Sequence, residues 1–298
     1  MTASAWSLPA SPFRFTLPVA RIPLRGEGSL RVLHGQTTQA IEGAATGSLI
    51  ETCCVTPTAR LVALAAVAVV ADGADLLVTA GSAAQVHQSL DRVLFPADRV
   101  ALGEPQALLW HGLVQPDGEP GGAGWSLPGR HWLLAEGEAL PEPLVAAAAL
   151  NPEQQEQLRI HQGIPAPGAE LSEEFNPFEL GLRQRVSLEK GCYLGQETLA
   201  KLGFRGAVKQ QLRCWQCTDP EAADLKPGDP LTLNGERAGR ITSVVHPNGR
   251  EPAFGLALIR RQALEAKELQ TGATEAQPQF RLLTIQRPGA FQEPPAGR

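Results

Sequence analysis

No stretch of this sequence is long and apolar enough to span a bilayer: the longest such run, residues 61–71, falls well short of the ~20 residues required. The first residues, broken by Pro9, Pro12 and Pro18, lack the continuous apolar segment and small-residue cleavage site of a secretory leader, so a cytoplasmic location is expected. Basic excess is missing too. With 26 Lys and Arg against 31 Asp and Glu, the net charge of −5 gives no global field toward phosphates, and neither nucleic acid nor membrane is expected as a partner. A local basic pocket remains compatible with that balance. The six histidines never recur at H-x-x-x-H spacing, so no metal site is expected. Neither a P-loop nor a Gly-x-Gly-x-x-Gly element is present, and no internal repeat has a fixed period. Five cysteines, an odd number in a long chain, cannot all enter a disulfide framework, which fits a reducing compartment and leaves at least one thiol free.

What remains is a globular balance. Hydrophobic residues make up 43% and charged residues 19%, and 298 residues exceed one typical domain, so two or three domains are expected. Residues 61–80 are rich in Val and Leu and are split by Asp72-Gly73, the pattern of a β-hairpin. Ser82 then caps a predicted helix carrying Val86, Leu90, Val93 and Leu94, which stops at Pro96 before a short extended segment ending near Val100. Strand, strand, helix, strand is half of a ferredoxin-like layer. Further strands are expected at 108–114 and 131–135, with an exposed Pro- and Gly-dense loop over 115–129. Asn151-Pro152 starts a helix that Gly163 and Pro165 end, and another helix is expected between Gly195 and Gly203. Short apolar runs at 212–217, 230–233, 241–245 and 254–259 predict a C-terminal β-barrel, followed by a loose tail from Pro288.

The chemistry concentrates in Lys190-Gly191-Cys192-Tyr193-Leu194-Gly195-Gln196-Glu197, where two glycines flank a cysteine just ahead of a predicted helix. Glycine permits tight turns and lets backbone amides approach a ligand. A thiol near a helix N-terminus, with Lys190 as a cationic neighbour, is biased toward thiolate. Cys192 is therefore a candidate nucleophile or metal ligand, with Lys190 assisting; a small buried residue in a tight turn is the alternative.

That eight-residue run resembles the signature of the YgfZ family of folate-binding proteins, and Gly206 with Val208-Lys209 resembles its continuation. Leu33-His34-Gly35-Gln36-Thr37-Thr38 is similar to the family's N-terminal Gly-Gln-x-Thr element, and residues 159–165 to its Arg-x-x-x-Gly-x-Pro element. The resemblance covers roughly residues 13–260 in order. It implies an α+β fold: a three-domain ring of two ferredoxin-like domains and a C-terminal β-barrel, shared with the T-protein of the glycine cleavage system, with folate in the central hole. The expected boundaries are 1–50 together with 105–205 for the folate-binding domain, 51–104 for an inserted ferredoxin-like domain, 206–287 for the barrel and 288–298 for a flexible tail.

Residues 177–182 look like the Pro-x-Glu-x-Gly-Leu stretch by which this superfamily recognises pterin. A carboxylate accepts paired hydrogen bonds from the 2-amino and ring N–H edge of a reduced pterin, so Glu179 is the expected contact, an exposed loop carboxylate being the alternative. Phe178 and Tyr193 are candidates to stack on the pterin ring, or else pack in the core. Gly191, Gln196 and Glu197 are carried along with the signature as ligand-facing positions. Lys201 and Arg205, with Lys209, form a basic cluster suited to a folate glutamyl tail, or to solvent.

The sequence also departs from its relatives. Ala40 stands where T-proteins carry the aspartate of their N-terminal element, and alanine cannot move a proton, which disfavours aminomethyl transfer. Lys201 replaces a usual arginine, and Thr58-Ala59-Arg60 replaces a Lys-Gly-Arg turn. The C-x-x-C of Cys214 and Cys217 has strand-like flanks and no second pair, and Cys53-Cys54 are adjacent, so both pairs read as structural. The expected function is a tetrahydrofolate-binding accessory factor, the folate free or carrying a one-carbon substituent, for assembly or maintenance of [4Fe–4S] clusters in client enzymes. One thiolate cannot hold such a cluster alone, so transient cluster holding implies a client, an assembly partner or a second ligand. A folate-dependent one-carbon transferase and a folate-binding module without thiol chemistry are the rivals.

Overall fold

The computed structural model describes residues 11–114, 129–206, 208–217, 224–246, 253–272 and 281–295. The chain runs β1 (Phe13–Arg25), α1 (Ser29–Gln36), β2 (Leu49–Val55), β3 (Leu61–Val70), β4 (Gly73–Gly81), α2 (Ala83–Asp91), β5 (Ala101–Leu102), β6 (Gln106–Val114), β7 (Gly129–Leu134), α3 (Glu142–Ala146) and β8 (Ala148–Ala149). It continues through α4 (Pro152–Gln162), α5 (Gln196–Arg205), β9 (Gln210–Cys217), β10 (Pro230–Leu233), β11 (Glu236–Val245), β12 (Ala253–Arg260), β13 (Glu268–Thr271) and β14 (Arg281–Gln286). The mixture of helices and sheets is consistent with the expected α+β class, and β9–β14 close into a six-stranded barrel in the order β10-β11-β12-β9-β14-β13.

Local chemistry accounts for several elements. The Ser82 hydroxyl accepts the Gln85 N–H to cap α2, and Asn151 with Gln154 forms a reciprocal capping box on α4. The predicted hairpin of β3 and β4 forms, with its turn at Ala71-Asp72, one residue before the expected Asp72-Gly73, since Gly73 already pairs with Val70. Helix α2 ends at Asp91 rather than at Pro96, which leaves Val93 at the surface. The expected loop over 115–129 lies outside the described residues, apart from Gly129 at the start of β7.

β1 joins the sheet's two parts. Its first half, Phe13–Arg21, pairs with β6, while Ala20–Arg25 pairs with β4. The short strands β8 and β5 take the remaining edges, so the path β2-β3-β4-β1-β6-β7 is continuous. The buried parity of β1 switches at this crossover. Phe13 and Phe15 point into a core shared with Leu158 and Ile160 of α4 and with Leu212, Leu256 and Leu258 of the barrel. Ile22 and Leu24 point the other way, against Leu33 of α1 and Val86 and Leu90 of α2.

The barrel has its own interior around Trp215, Ile241 and Ile259. β12 lies between two cores, which explains why residues 253–259 are all buried and read as one apolar run. Cys217 faces the barrel interior, while Cys214 lies on the other side of β9 with its thiol 3.2 Å from the Ile160 carbonyl. Cys53 and Cys54 are buried, and burial pushes both thiols up to about 12.

The expected loose tail needs correction over residues 288–295. Gly289 donates to His161 O and Gln292 to Gly181 O, both at 2.9 Å. Pro288 and Phe291 fill the space beside Gly163 and Gly181, two left-handed glycines where a Cβ would collide with them. Residues 296–298 lie outside the described residues.

Candidate functional site

A cleft of about 720 Å³ opens between the barrel and the helical side of the molecule, lined by residues of the turn at 58–60, the loop at 174–179, α5, and the barrel segments at 209–210 and 260–262. Glu179 is in its wall. The loop that carries it is wound by Asn176, whose side-chain oxygen accepts the Phe178 and Glu179 N–H groups at 3.0 and 3.2 Å. Asn176 N–H returns a bond to the Glu179 carboxylate at 3.1 Å, and Glu179 O accepts the Leu212 N–H of β9 at 2.8 Å. Backbone and side chain are thus both fixed. Burial raises the Glu179 carboxyl pKa above its usual value; the Asn176 N–H, Arg60, Gln210 and Lys209 pull the other way.

The cleft is cationic although the chain is acidic. Arg60, Lys209, Arg260 and Arg261 line it against two acids, Glu174 and Glu179. Arg60 follows a tight turn in which Thr56 N–H bonds Arg60 O at 2.8 Å. Ala59 sits there with φ +59°, the left-handed conformation that the glycine of the related Lys-Gly-Arg turn adopts without strain. Arg60 reaches back to Glu174 O at 2.5 Å. Arg261 donates from its backbone to Lys209 O and from its guanidinium to Gly206 O, both at 2.9 Å, tying the end of β12 to the end of α5.

The Cys192 loop is built differently. Cys192 is exposed and is not among the residues lining the cleft. Gly191 is exposed beside it, with open space where a Cβ would be. The Lys190 ammonium is turned inward: it donates to the carbonyls of His34, Thr37 (2.6 Å) and Gln39 (2.8 Å) and lies 4.4 Å from the centre of the Tyr193 ring. Burial pulls its pKa down to about 7. His34 holds the same segment, its Nδ1 accepting the Ile41 and Glu42 N–H groups at 3.2 and 3.0 Å. Lys190 therefore clamps the Gly-Gln-x-Thr element rather than reaching out beside the thiol.

The remaining predicted positions divide. Phe178 is fully buried with Tyr193, Leu199 and Val208, so both aromatic candidates pack in the core instead of presenting a face to the cleft. Among the described residues, the buried Tyr193 hydroxyl finds no hydrogen-bond partner. Gln196 opens α5, its side-chain amide 3.5 Å from Lys190 O. Glu197 and Lys201 pair at 2.5 Å on the exposed face of α5, and Lys201 holds the Glu197 pKa down. Arg205 is exposed and outside the cleft, whereas Thr198 and Leu202 of the same helix line it. Of the expected basic cluster only Lys209 reaches the cleft; Arg60, Arg260 and Arg261 take the other places. Among the described residues, no group of three His, Cys, Asp or Glu side chains could hold a metal. None of their helices is long and apolar enough to cross a membrane.

No protein-family model matches the chain. A chain from Arabidopsis thaliana that bears the name of a chloroplastic transferase is 31% identical over 293 residues, 82% of this chain; the match spans 64% of that relative's length. Proteins named tRNA-modifying protein YgfZ match over shorter stretches: 40% identity over 109 residues in Serratia proteamaculans and 34% over 129 residues in Escherichia coli, 33% and 39% of their lengths. The fold is that of the glycine cleavage system aminomethyltransferase T from Bartonella henselae. That crystal structure superposes with a TM-score of 0.73 over 97% of this chain and 88% of its own, at 15% identity.

Proposed function

We propose that this chain, similar to YgfZ proteins in sequence and to the T-protein in fold, binds tetrahydrofolate, free or one-carbon-substituted, in the cleft beside Glu179 and serves as an accessory factor for [4Fe–4S] enzymes. The observation that carries the folate reading is Glu179 itself: a carboxylate 6% exposed, fixed at the wall of a cleft whose other charges are mainly cationic. A carboxylate can accept more hydrogen bonds than the Asn176 N–H and the Gln210 side chain supply, and the paired N–H edge of a reduced pterin suits the remaining capacity. The surrounding Arg and Lys side chains suit the ligand's own carboxylates.

Cys192 is the exposed cysteine among the described residues and the group best placed to meet another protein. Among the described residues it belongs to no group of three His, Cys, Asp or Glu side chains that could hold a metal, so cluster or sulfur chemistry there requires donors from a client or an assembly partner. The names of the bacterial relatives make a tRNA-modifying enzyme the first client to test. One observation favours a second reading, a folate-binding module without thiol chemistry: the cation expected to activate Cys192 is engaged with the carbonyls of His34, Thr37 and Gln39. Replacing Cys192 with serine separates the two. Under the first reading tetrahydrofolate still binds while the activity of iron–sulfur clients falls; unchanged client activity at normal expression leaves the binding module. Absence of tetrahydrofolate binding to the unmodified protein would sink both.

A further inference from the structure

The cleft does not end at Arg260. A second concavity of about 170 Å³ adjoins it, sharing Glu174, Gln210 and Arg260 and continuing over the outside of the barrel. Its floor is Phe175 and Leu258, both buried, and its walls add Arg237 and Arg240 from β11 to Arg260 at the end of β12. Three guanidinium groups face one carboxylate, Glu174. That acid pairs with Arg240 at 2.9 Å, and the Arg240 guanidinium lies 5.5 Å from the centre of the Phe175 ring. Among the described residues neither Arg237 nor Arg260 has a carboxylate within ion-pair distance. Two unpaired guanidinium groups over an apolar floor, at the open end of a cleft, suit a chain of repeating carboxylates or phosphates lying along the wall.

We infer that this trough is a subsite for the oligo-γ-glutamyl extension of the folate proposed above, each added residue contributing one α-carboxylate to the Arg260, Arg240 and Arg237 row. The inference rests on that reading for the ligand's identity, with the pterin edge at Glu179 and the tail directed over Glu174, Gln210 and Arg260, the residues that the two concavities share. It places the tail on the barrel, away from Lys201 and Arg205 on α5.

The test is a pair of calorimetric titrations, with tetrahydrofolate monoglutamate and with its triglutamate, on the unmodified protein and on an Arg237→Ala, Arg240→Gln double variant. The expected result is tighter binding of the triglutamate by tenfold or more, lost in the double variant while monoglutamate affinity stays within twofold. Equal affinity for the two ligands in the unmodified protein overturns the trough and leaves the folate reading intact. If neither ligand binds, the folate reading itself fails and the inference falls with it. Free tri-γ-glutamate and inorganic tripolyphosphate are the competing arms. Displacement of the triglutamate by tripolyphosphate but not by tri-γ-glutamate assigns the trough to a phosphate chain and overturns the inference. An unfolded double variant is recognised by its circular dichroism, and Arg237→Ala alone, on an exposed position beside the Asn234-Gly235 turn, then carries the same comparison with an expected loss of at least threefold.

Discussion

Glu179 and Lys190 are both buried charges supplied by the same loop-rich stretch between α4 and α5, and the fold uses them in opposite ways. Glu179 looks into an open cleft among cations, with a single backbone N–H bonded to its carboxylate in the described geometry. Lys190 looks into backbone, with its ammonium donating to the carbonyls of three residues. A buried charge that faces a cavity is poised to meet a ligand; one already surrounded by main-chain acceptors holds two segments together. Burial fraction alone, nearly the same for the two at 6% and 8% exposure, does not separate these roles.

Removing each charge sharpens the contrast. Lys190→Met leaves the carbonyls of residues 34, 37 and 39 without their donor and should cost about 3 kcal/mol in chemical denaturation. A loss below ~0.5 kcal/mol would show that the clamp contributes nothing, since surface changes usually fall in that range. Glu179→Gln should do the reverse: stability at neutral pH holds or rises, because a disfavoured buried carboxylate is gone, while tetrahydrofolate affinity drops about 100-fold, the scale of a charge-assisted hydrogen-bond pair. Arg60→Gln, which keeps a polar amide but shortens the side chain and removes its charge at the cleft wall, should weaken the same titration about tenfold. Cys192→Ser should change neither stability nor that titration by more than ~0.5 kcal/mol, since the thiol is exposed and outside the cleft.

The two groups also predict opposite slopes of stability against pH. The native Glu179 carboxyl has a raised pKa, so it binds its proton more tightly than the unfolded chain does. Stability therefore falls as pH rises from about 4.5 through the native value, and Glu179→Gln should flatten that fall. Lys190 is lowered from 10.5 to about 7, so between those values the unfolded chain carries the extra proton. Stability there rises with pH, and Lys190→Met should remove the rise. Denaturation midpoints followed across both ranges check the two signs independently.

Elements with strong local chemistry were legible in the sequence: the hairpin of β3 and β4, the Ser82 and Asn151 caps, and the apolar runs that became β9 to β12. β1 was not. Pro18 and Pro23 argue against a strand, and the switch of buried parity between Val19 and Ile22 destroys the simple alternation that marks one. For the site, Glu179 could be named because a motif surrounds it. Arg60, Arg260 and Arg261 could not, since their common cleft is assembled from a turn in the sheet layer and the far end of a barrel strand. Lys190 was correctly seen beside Cys192 in sequence, but its side chain is long enough to choose a different neighbour, and the carbonyls of the 34–39 segment are the better one.

The crossover in β1 has an implication for dissecting the molecule. A fragment that begins after residue 25, or one that excises 51–104 as a self-standing piece, takes from each half of the sheet a partner strand that the other half also uses. Both pieces are left with an unpaired hydrogen-bonding edge, the surface from which strands add to strangers. Limited proteolysis and domain transplantation should therefore yield aggregates rather than working modules, because the first strand serves both of its partners at once.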